Sequence, residues 1–438
     1  LLVTSRARLN VQAEQVCPRE GLRYPALANL ARTELNMSDY SALLLFQNAT
    51  RQARPDITLT PADLPALARI CQLVDGMPLG LVLAAGWLAT CTPAEIVAEI
   101  EASLDFLSSS WGDLPERQRS LRATLDHSWW LLTGAERQAF QKLSVFQGVF
   151  NRQAAEQVAG ISITGLRGLV DKSMLQASPG NYRMHDLLRQ YAAEKLIADE
   201  AAASQVRQAH CIYYLERLAE REGRLKRAQR SQTLTELDSE INDLQTAWKW
   251  AYIQTDISWL ARSLAGLCLY YEMRLRFREG ERACQAALDN LPFHPDQPGE
   301  NHVLRTRLLL WQAKFLVLSG KLEAAVALHQ EAGEILAALE RRGVDTRLPR
   351  AMYWQAEGDA KAELKVKLEC YQRSIALYQQ LGDTWWQANM LVWAGEVSNR
   401  LGDPDRALQS QQEALRLARQ LGEQNLTLYR LRKLTYIN

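Results

Sequence analysis

Tyr182-Arg183-Met184-His185-Asp186-Leu187-Leu188-Arg189-Gln190-Tyr191-Ala192 is the stretch on which the reading of this 438-residue chain turns. It reads as a short strand running into a helix, with a histidine at the joint. Just before it, Ser178-Pro179-Gly180-Asn181 is a dense cluster of turn formers, so Asp171-Lys172-Ser173-Met174-Leu175 leads into a hairpin. Four helical segments precede the hairpin. One opens at Arg119-Ser120-Leu121-Arg122 and ends near Leu132, and the next starts at Thr133-Gly134-Ala135-Glu136. Asn151 caps a third through Val158, and a fourth covers Ile163 to Val170. Three or four helices plus a two-stranded wing describe a winged helix.

Such modules often bind DNA. Residues 114–196 hold 11 Lys/Arg against 7 Asp/Glu. The helix that would enter a groove, Ile163 to Val170, offers one arginine among mostly apolar side chains. Groove reading needs several polar or basic residues there, so this helix reads as one built to pack.

Further upstream, residues 37–107 read as four short helices. The first is Ser41 to Ala53; the second starts at Thr60-Pro61 and stops at Asp75-Gly76. Gly76-Met77-Pro78-Leu79 starts the third and Thr92-Pro93 the fourth, through Leu104. The chain opens on Leu1-Leu2-Val3-Thr4-Ser5-Arg6, an apolar run that suits a buried parallel strand. At the carboxyl end of such a strand Arg6 can reach a terminal phosphate.

Downstream of Leu196 the chain reads as wholly helical. Gly280 and Gly320 lie 40 residues apart, and Gly402 a further 82 on. Leu381-Gly382-Asp383, Leu401-Gly402-Asp403 and Leu421-Gly422-Glu423 mark helix ends at intervals of 20. Helix pairs with glycine-containing turns resemble tetratricopeptide-type repeats, and such pairs stack into a solenoid with an extended concave surface. The third unit is irregular, with charged Glu357 to Lys367 in place of its turn. Arg221 to Arg230, with five basic residues and one glutamate, reads as a solvated face, and Trp385, Trp386 and Trp393 read as packing between helices.

Composition narrows the functional classes. A net charge of +1 gives no global argument for nucleic acid or membrane. The longest apolar run, Pro78 to Ala89, is shorter than the roughly 20 residues a bilayer requires. Seven cysteines without a Cys-x-x-Cys pair suggest core thiols in a cytoplasmic protein rather than a disulfide frame or zinc site. The chain starts at Leu1 in mid-pattern, as a fragment would. It contains no Gly-x-x-x-x-Gly-Lys-Ser/Thr loop, no His-Glu-x-x-His and no Gly-x-Ser-x-Gly elbow, so as given it should not hydrolyse ATP. Slow hydrolysis by a longer protein stays open.

Four motifs together resemble the STAND signal-transduction ATPases of the NB-ARC type, in that family's order. They are Thr4-Ser5-Arg6, Gly76-Met77-Pro78-Leu79, the winged-helix segment ending in Met184-His185-Asp186, and the repeat array. Arg8-Leu9-Asn10, Gly21-Leu22-x-x-Pro25 and Glu240-x-Asn242-Asp243-Leu244 also resemble it, whereas Val82 stands where the family often has glutamate. The resemblance implies a mainly α chain. Residues 1–24 would end a P-loop NTPase α/β domain, 25–112 form a helical lid, 113–198 a winged helix, 199–255 a helical linker and 256–438 the solenoid.

It further implies that ADP or ATP is the cofactor, with magnesium held only by a phosphate loop upstream of Leu1. Thr4 and Arg6 would read the γ-phosphate. Pro78 and Leu79 would pack on the adenine, and His185 would touch the diphosphate of ADP and hold the resting state closed. An inducer, protein or small molecule, would bind the repeats; exchange for ATP would permit self-association; DNA would be met only through a domain outside this chain. The rival readings are a repeat scaffold that binds a protein without nucleotide, and a transcription regulator. The second can be the same molecule seen whole.

Overall fold

The structure is a computed structural model that describes residues 15, 21–25, 39–53, 59–108, 120–292 and 299–422. It is mainly helical and divides into two compact units, residues 1–209 and 210–438.

The first unit begins with four helices: α1 (Ser41–Ala53), α2 (Leu64–Leu73), α3 (Pro78–Gly86) and α4 (Pro93–Ala102). Their starts follow local chemistry. Thr92 accepts a hydrogen bond from the Glu95 amide (3.3 Å) while the Glu95 carboxylate takes the Thr92 amide (2.7 Å), a reciprocal cap with Pro93 at the first helical position. The stretch after Thr60 opens as a short 3-10 turn, Pro61–Asp63, before α2 proper. The fourth segment likewise ends in a 3-10 turn, Leu104–Phe106, after a break at Ser103. α1 packs on α3 and α2 on α4. Phe46, Leu67, Ile70, Leu81, Ile96 and Ile100 are fully buried between them, each stabilising the fold by about 1.5–3 kcal/mol.

Next come α5 (Leu121–Trp130), α6 (Gly134–Leu143), β1 (Val149–Asn151), α7 (Arg152–Ala159) and α8 (Ile163–Asp171). The hairpin β2 (Gln176–Ser178) and β3 (Asn181–Arg183) then leads into α9 (Asp186–Ile197). The expected two-stranded wing is a three-stranded antiparallel sheet in the order β1-β3-β2. β1 pairs Phe150 with Tyr182, and three residues were too few to show as a strand between two helices. Asn151, Thr133 and Ser162 cap their helices through side-chain oxygens. α8 turns Leu166 and Leu169 inward, and Gly168 faces Glu136 so closely that a Cβ would lie 2.8 Å from its carboxylate. The one arginine, Arg167, is exposed and pairs with Asp171 at 3.6 Å.

This helical and sheet segment is fixed to the four-helix bundle through α9. Gln190 donates to the carbonyls of Ile100 (3.2 Å) and Glu101 (2.8 Å), and Arg122 pairs with Asp105 and with Glu194 (2.8 Å).

The unit boundary falls within the helix α10 (Glu200–Leu225). The second unit contains the end of α10, α11 (Arg230–Ile253), and four helix pairs. They are α12 (Ile257–Met273) with α13 (Phe277–Asn290), and α14 (Glu300–Leu318) with α15 (Leu322–Arg341). α16 (Arg347–Ala360) with α17 (Leu364–Leu381), and α18 (Thr384–Arg400) with α19 (Pro404–Gln420), complete the array. α12, α14 and α16 adjoin in turn. α14 also reaches α18, with the Trp311 and Trp386 rings 6.2 Å apart and Lys314 over both at 4.9 and 4.7 Å. Contact across one intervening pair means a tight curl with the first helix of each pair inside.

Several expectations change here. Gly320, Gly382 and Gly402 do end helices with left-handed backbone. Gly280 instead lies within α13, where a Cβ would stand 2.6 Å from the Phe315 ring: its role is close packing, not a turn. The basic run at 221–230 is only in part a solvated face, with Arg227 exposed. Arg221 is 4% exposed and bidentate with Glu240, and Lys226 bridges Glu222 (2.7 Å) and Asp383 (2.8 Å). That bridge and the Arg230–Trp385 contact bring the start of α18 onto the α10–α11 turn, so the inner face is partly closed by the chain itself. Trp385 and Trp386 pack, whereas Trp393 is 44% exposed. Among the described residues no helix is long and apolar enough to cross a membrane.

Candidate functional site

α2 stops because two successive residues take left-handed backbone, Asp75 at φ 48° and Gly76 at φ 62°. The Gly76 amide returns to the Cys71 carbonyl (2.9 Å), and Met77 then extends to set Pro78 at the start of α3. Gly76 is required twice over. Its φ disfavours a side chain, and a Cβ would fall 2.1 Å from the Leu22 carbonyl oxygen. A Cβ on Gly21 would lie 1.9 Å from the Asp75 oxygen, so the two backbones touch.

The Gly21–Pro25 segment is thereby laid across the turn. Its Leu22 amide donates to the Gly76 carbonyl (2.8 Å), the Arg23 carbonyl accepts from Ala42 (3.0 Å), and the Arg23 amide donates to the Ser41 hydroxyl (3.0 Å). Tyr24 donates its phenol proton to the Asp75 carboxylate at 2.7 Å, and burial with that carboxylate pushes the phenol well above its ordinary range.

His185 meets the same turn from the other side. It caps α9, its Nδ1 accepting from the Leu187 amide at 3.0 Å. An accepting Nδ1 places the proton of the neutral ring on Nε2. Among the described residues that buried atom has no hydrogen-bond partner of ordinary geometry; it lies 3.7 Å from Asp75 Oδ2 and near the Val74 carbonyl. Burial holds the imidazole below its usual pKa, against the pull of the Asp75 and Asp186 carboxylates and the Val74 carbonyl. The ring is thus a neutral donor whose Nε2 proton is only weakly engaged, by the Asp75 carboxylate and the Val74 carbonyl, and a phosphate oxygen would be a stronger acceptor for it.

Two arginines accompany it. Arg183 is exposed two residues before His185, close enough to oppose its protonation, and Arg189, one helical turn on, faces Asp186 through its Nε at 3.7 Å. Gln176 of β2 reaches Asp75 Oδ2 at 3.5 Å.

Of the residues singled out in the sequence, the fold brings His185 to the turn that carries Pro78. Pro78 is exposed and Leu79 half-buried. Thr4 and Arg6 lie outside the described residues. Tyr24, Asp75, Arg183 and Gln176 were not anticipated. The adjacent glycines Gly21 and Gly76 were the available signal, since each marks a close backbone approach. Among the described residues no group of three His, Cys, Asp or Glu side chains could hold a metal ion.

No family model matches the chain. It is 26% identical over 395 residues to proteins of Mycobacterium tuberculosis and Mycobacterium bovis named "Putative HTH-type transcriptional regulator"; the alignment covers 87% of this chain and 44% of theirs. An uncharacterized protein of M. tuberculosis is 31% identical over 167 residues, 35% of this chain and 42% of that one. The chain therefore spans less than half the length of these relatives. Among solved structures, it is similar to a Signal Transduction ATPase with Numerous Domains with a tetratricopeptide repeat sensor from Pyrococcus horikoshii. That match has 16% identity and a TM-score of 0.44, over 92% of this chain and 56% of the other.

Proposed function

We propose that this chain is the rear part of a nucleotide-dependent regulatory switch. The four-helix bundle is the lid, the α5–α9 segment with its sheet is a winged helix, and the curled helix pairs are the sensor. ADP is held between an upstream phosphate loop, Pro78 with Leu79, and His185, while Thr4 and Arg6 sense the γ-phosphate. An inducer on the repeats loosens the winged helix, and exchange for ATP permits self-association. The named relatives support a transcriptional output, delivered to DNA by a domain outside these residues.

The observation that carries this reading is the buried, weakly engaged Nε2 proton of His185, fixed by the cap on Leu187 and facing the turn that presents Pro78. Nucleotide would supply a well-placed anionic acceptor for this donor.

The test uses the whole protein, including the region upstream of Leu1. Losing one hydrogen bond to a charged group costs about 1.5–3 kcal/mol, so His185→Ala should release fluorescent ADP roughly 10- to 100-fold faster. Unchanged release would remove His185 from the nucleotide contact. Failure of the whole wild-type protein to bind ADP or ATP would leave the repeat scaffold. That reading is favoured by the exposed apolar side chains Leu275, Leu322 and Val326 of the helix pairs.

A further inference from the structure

Asp75 is the point where three segments distant in sequence converge. Its carboxylate takes the Tyr24 phenol from 51 residues upstream (2.7 Å), the Gln176 amide from 101 residues downstream (3.5 Å), and faces His185 Nε2 (3.7 Å). Its backbone sits at φ 48°, a conformation that Asp and Asn tolerate better than other side chains. The Nε2–Oδ2 separation is about 0.8 Å beyond a normal hydrogen bond, so a small side-chain movement closes it.

We infer that Asp75 is the positioning residue of this site: its carboxylate holds the upstream segment and the His185 imidazole to the turn, and it competes with an incoming phosphate for the Nε2 proton. The competition rests on the nucleotide reading above; the positioning of His185 does not. The charged groups facing the imidazole are Asp75 on the turn, Asp186 on α9 and Arg183 on β3, with the Val74 carbonyl from the end of α2. Arg189 is engaged with Asp186. Asp75 is the carboxylate opposite Nε2, the position a phosphate oxygen would take. Two anions cannot share one neutral donor without repulsion, so a nucleotide must displace Asp75 or bind against its field.

The variant Asp75→Asn keeps the shape, the backbone preference and an acceptor for Tyr24, and removes only the charge. Tyr24→Phe removes the phenol bond and leaves the charge. In the full chain with histidines labelled at Cε1, the His185 resonance is assigned by its loss in His185→Ala and followed against pH. Asp75→Asn is expected to lower the His185 midpoint by about one unit, and Tyr24→Phe to move it much less. A midpoint unchanged in Asp75→Asn would overturn the positioning role, because a merely structural side chain would not set the basicity of the ring.

In the whole protein, Asp75→Asn should release ADP at least about threefold more slowly, as repulsion is relieved. Equal or faster release would overturn the competition. If the wild-type protein binds no nucleotide, the switch reading fails, and the histidine titration still decides the positioning of His185.

Discussion

Gly76→Ala, compared with Gly86→Ala, separates the tertiary requirement at the turn from the ordinary cost of glycine in helical proteins. At Gly76 three losses combine. A non-glycine residue in left-handed backbone costs about 1–2 kcal/mol. The Leu22 amide bond to the Gly76 carbonyl (2.8 Å) is worth about 1 kcal/mol. The new Cβ, 2.1 Å from the Leu22 oxygen, forces the Gly21–Pro25 segment off the turn. The expected net is a destabilisation of about 2–3 kcal/mol.

Gly86 ends α3 at φ −59°, and a Cβ there meets no described atom within 4 Å. Alanine should stabilise by about 0.5–1 kcal/mol, chiefly by restricting the unfolded chain. The two substitutions are chemically identical and opposite in sign. With two units present, global unfolding is not assumed to be two-state, so the assay is urea unfolding combined with hydrogen exchange read at Leu22 and Ala42. Gly76→Ala should strip protection from both amides while leaving the helix pairs of the second unit unchanged. If Gly76→Ala proves as stable as Gly86→Ala and keeps both amides protected, the docking of the upstream segment on this turn is refuted.

Two further outcomes follow from the same geometry. Gly280→Ala should destabilise the second unit by about 1–3 kcal/mol through overpacking against Phe315, whereas Gly223→Ala, whose Cβ meets nothing, should not destabilise; thermal melts of the two variants compare them directly. For pH, burial holds both His185 and His329 below the ordinary histidine value of 6.5, so each is neutral in the fold and binds a proton more readily when unfolded. Their stabilisation is complete above about pH 6.5 and is lost as pH falls through the lowered folded values. His329→Gln, which can still reach Glu357, should flatten the decline between pH 7 and 5 by up to about 1.4 kcal/mol per pH unit; an unaltered slope in denaturation midpoints would show that His329 does not titrate with unfolding.

The sequence carried the local structure because the signals were local. Thr92 with Pro93 and Glu95, Thr133 with Glu136, Asn151 and Ser162 each satisfy helix-end amides within three residues, so they cap the same helices in the fold. The Ser178–Asn181 cluster closes a hairpin for the same reason, and Asp75-Gly76 stops α2 because consecutive left-handed residues cannot continue a helix. His185 at a strand-to-helix joint was legible too, since its cap reaches only to Leu187.

What tertiary structure decided depends on separations no local pattern encodes. β1 is a strand because β3 lies beside it, and Gly280 is a packing glycine because Phe315 arrives from 35 residues away. Arg221 and Lys226 look like solvated charges until Glu240 and Asp383 are folded against them. In the candidate site, the motif residues His185 and Pro78 were readable singly, but Tyr24, Asp75 and Gln176 were not. Periodicity reports which face of an element is apolar; it does not report which polar groups meet across 51 or 101 residues. Those meetings are fixed by close packing around Gly21 and Gly76, where the absence of two side chains lets one backbone lie against another.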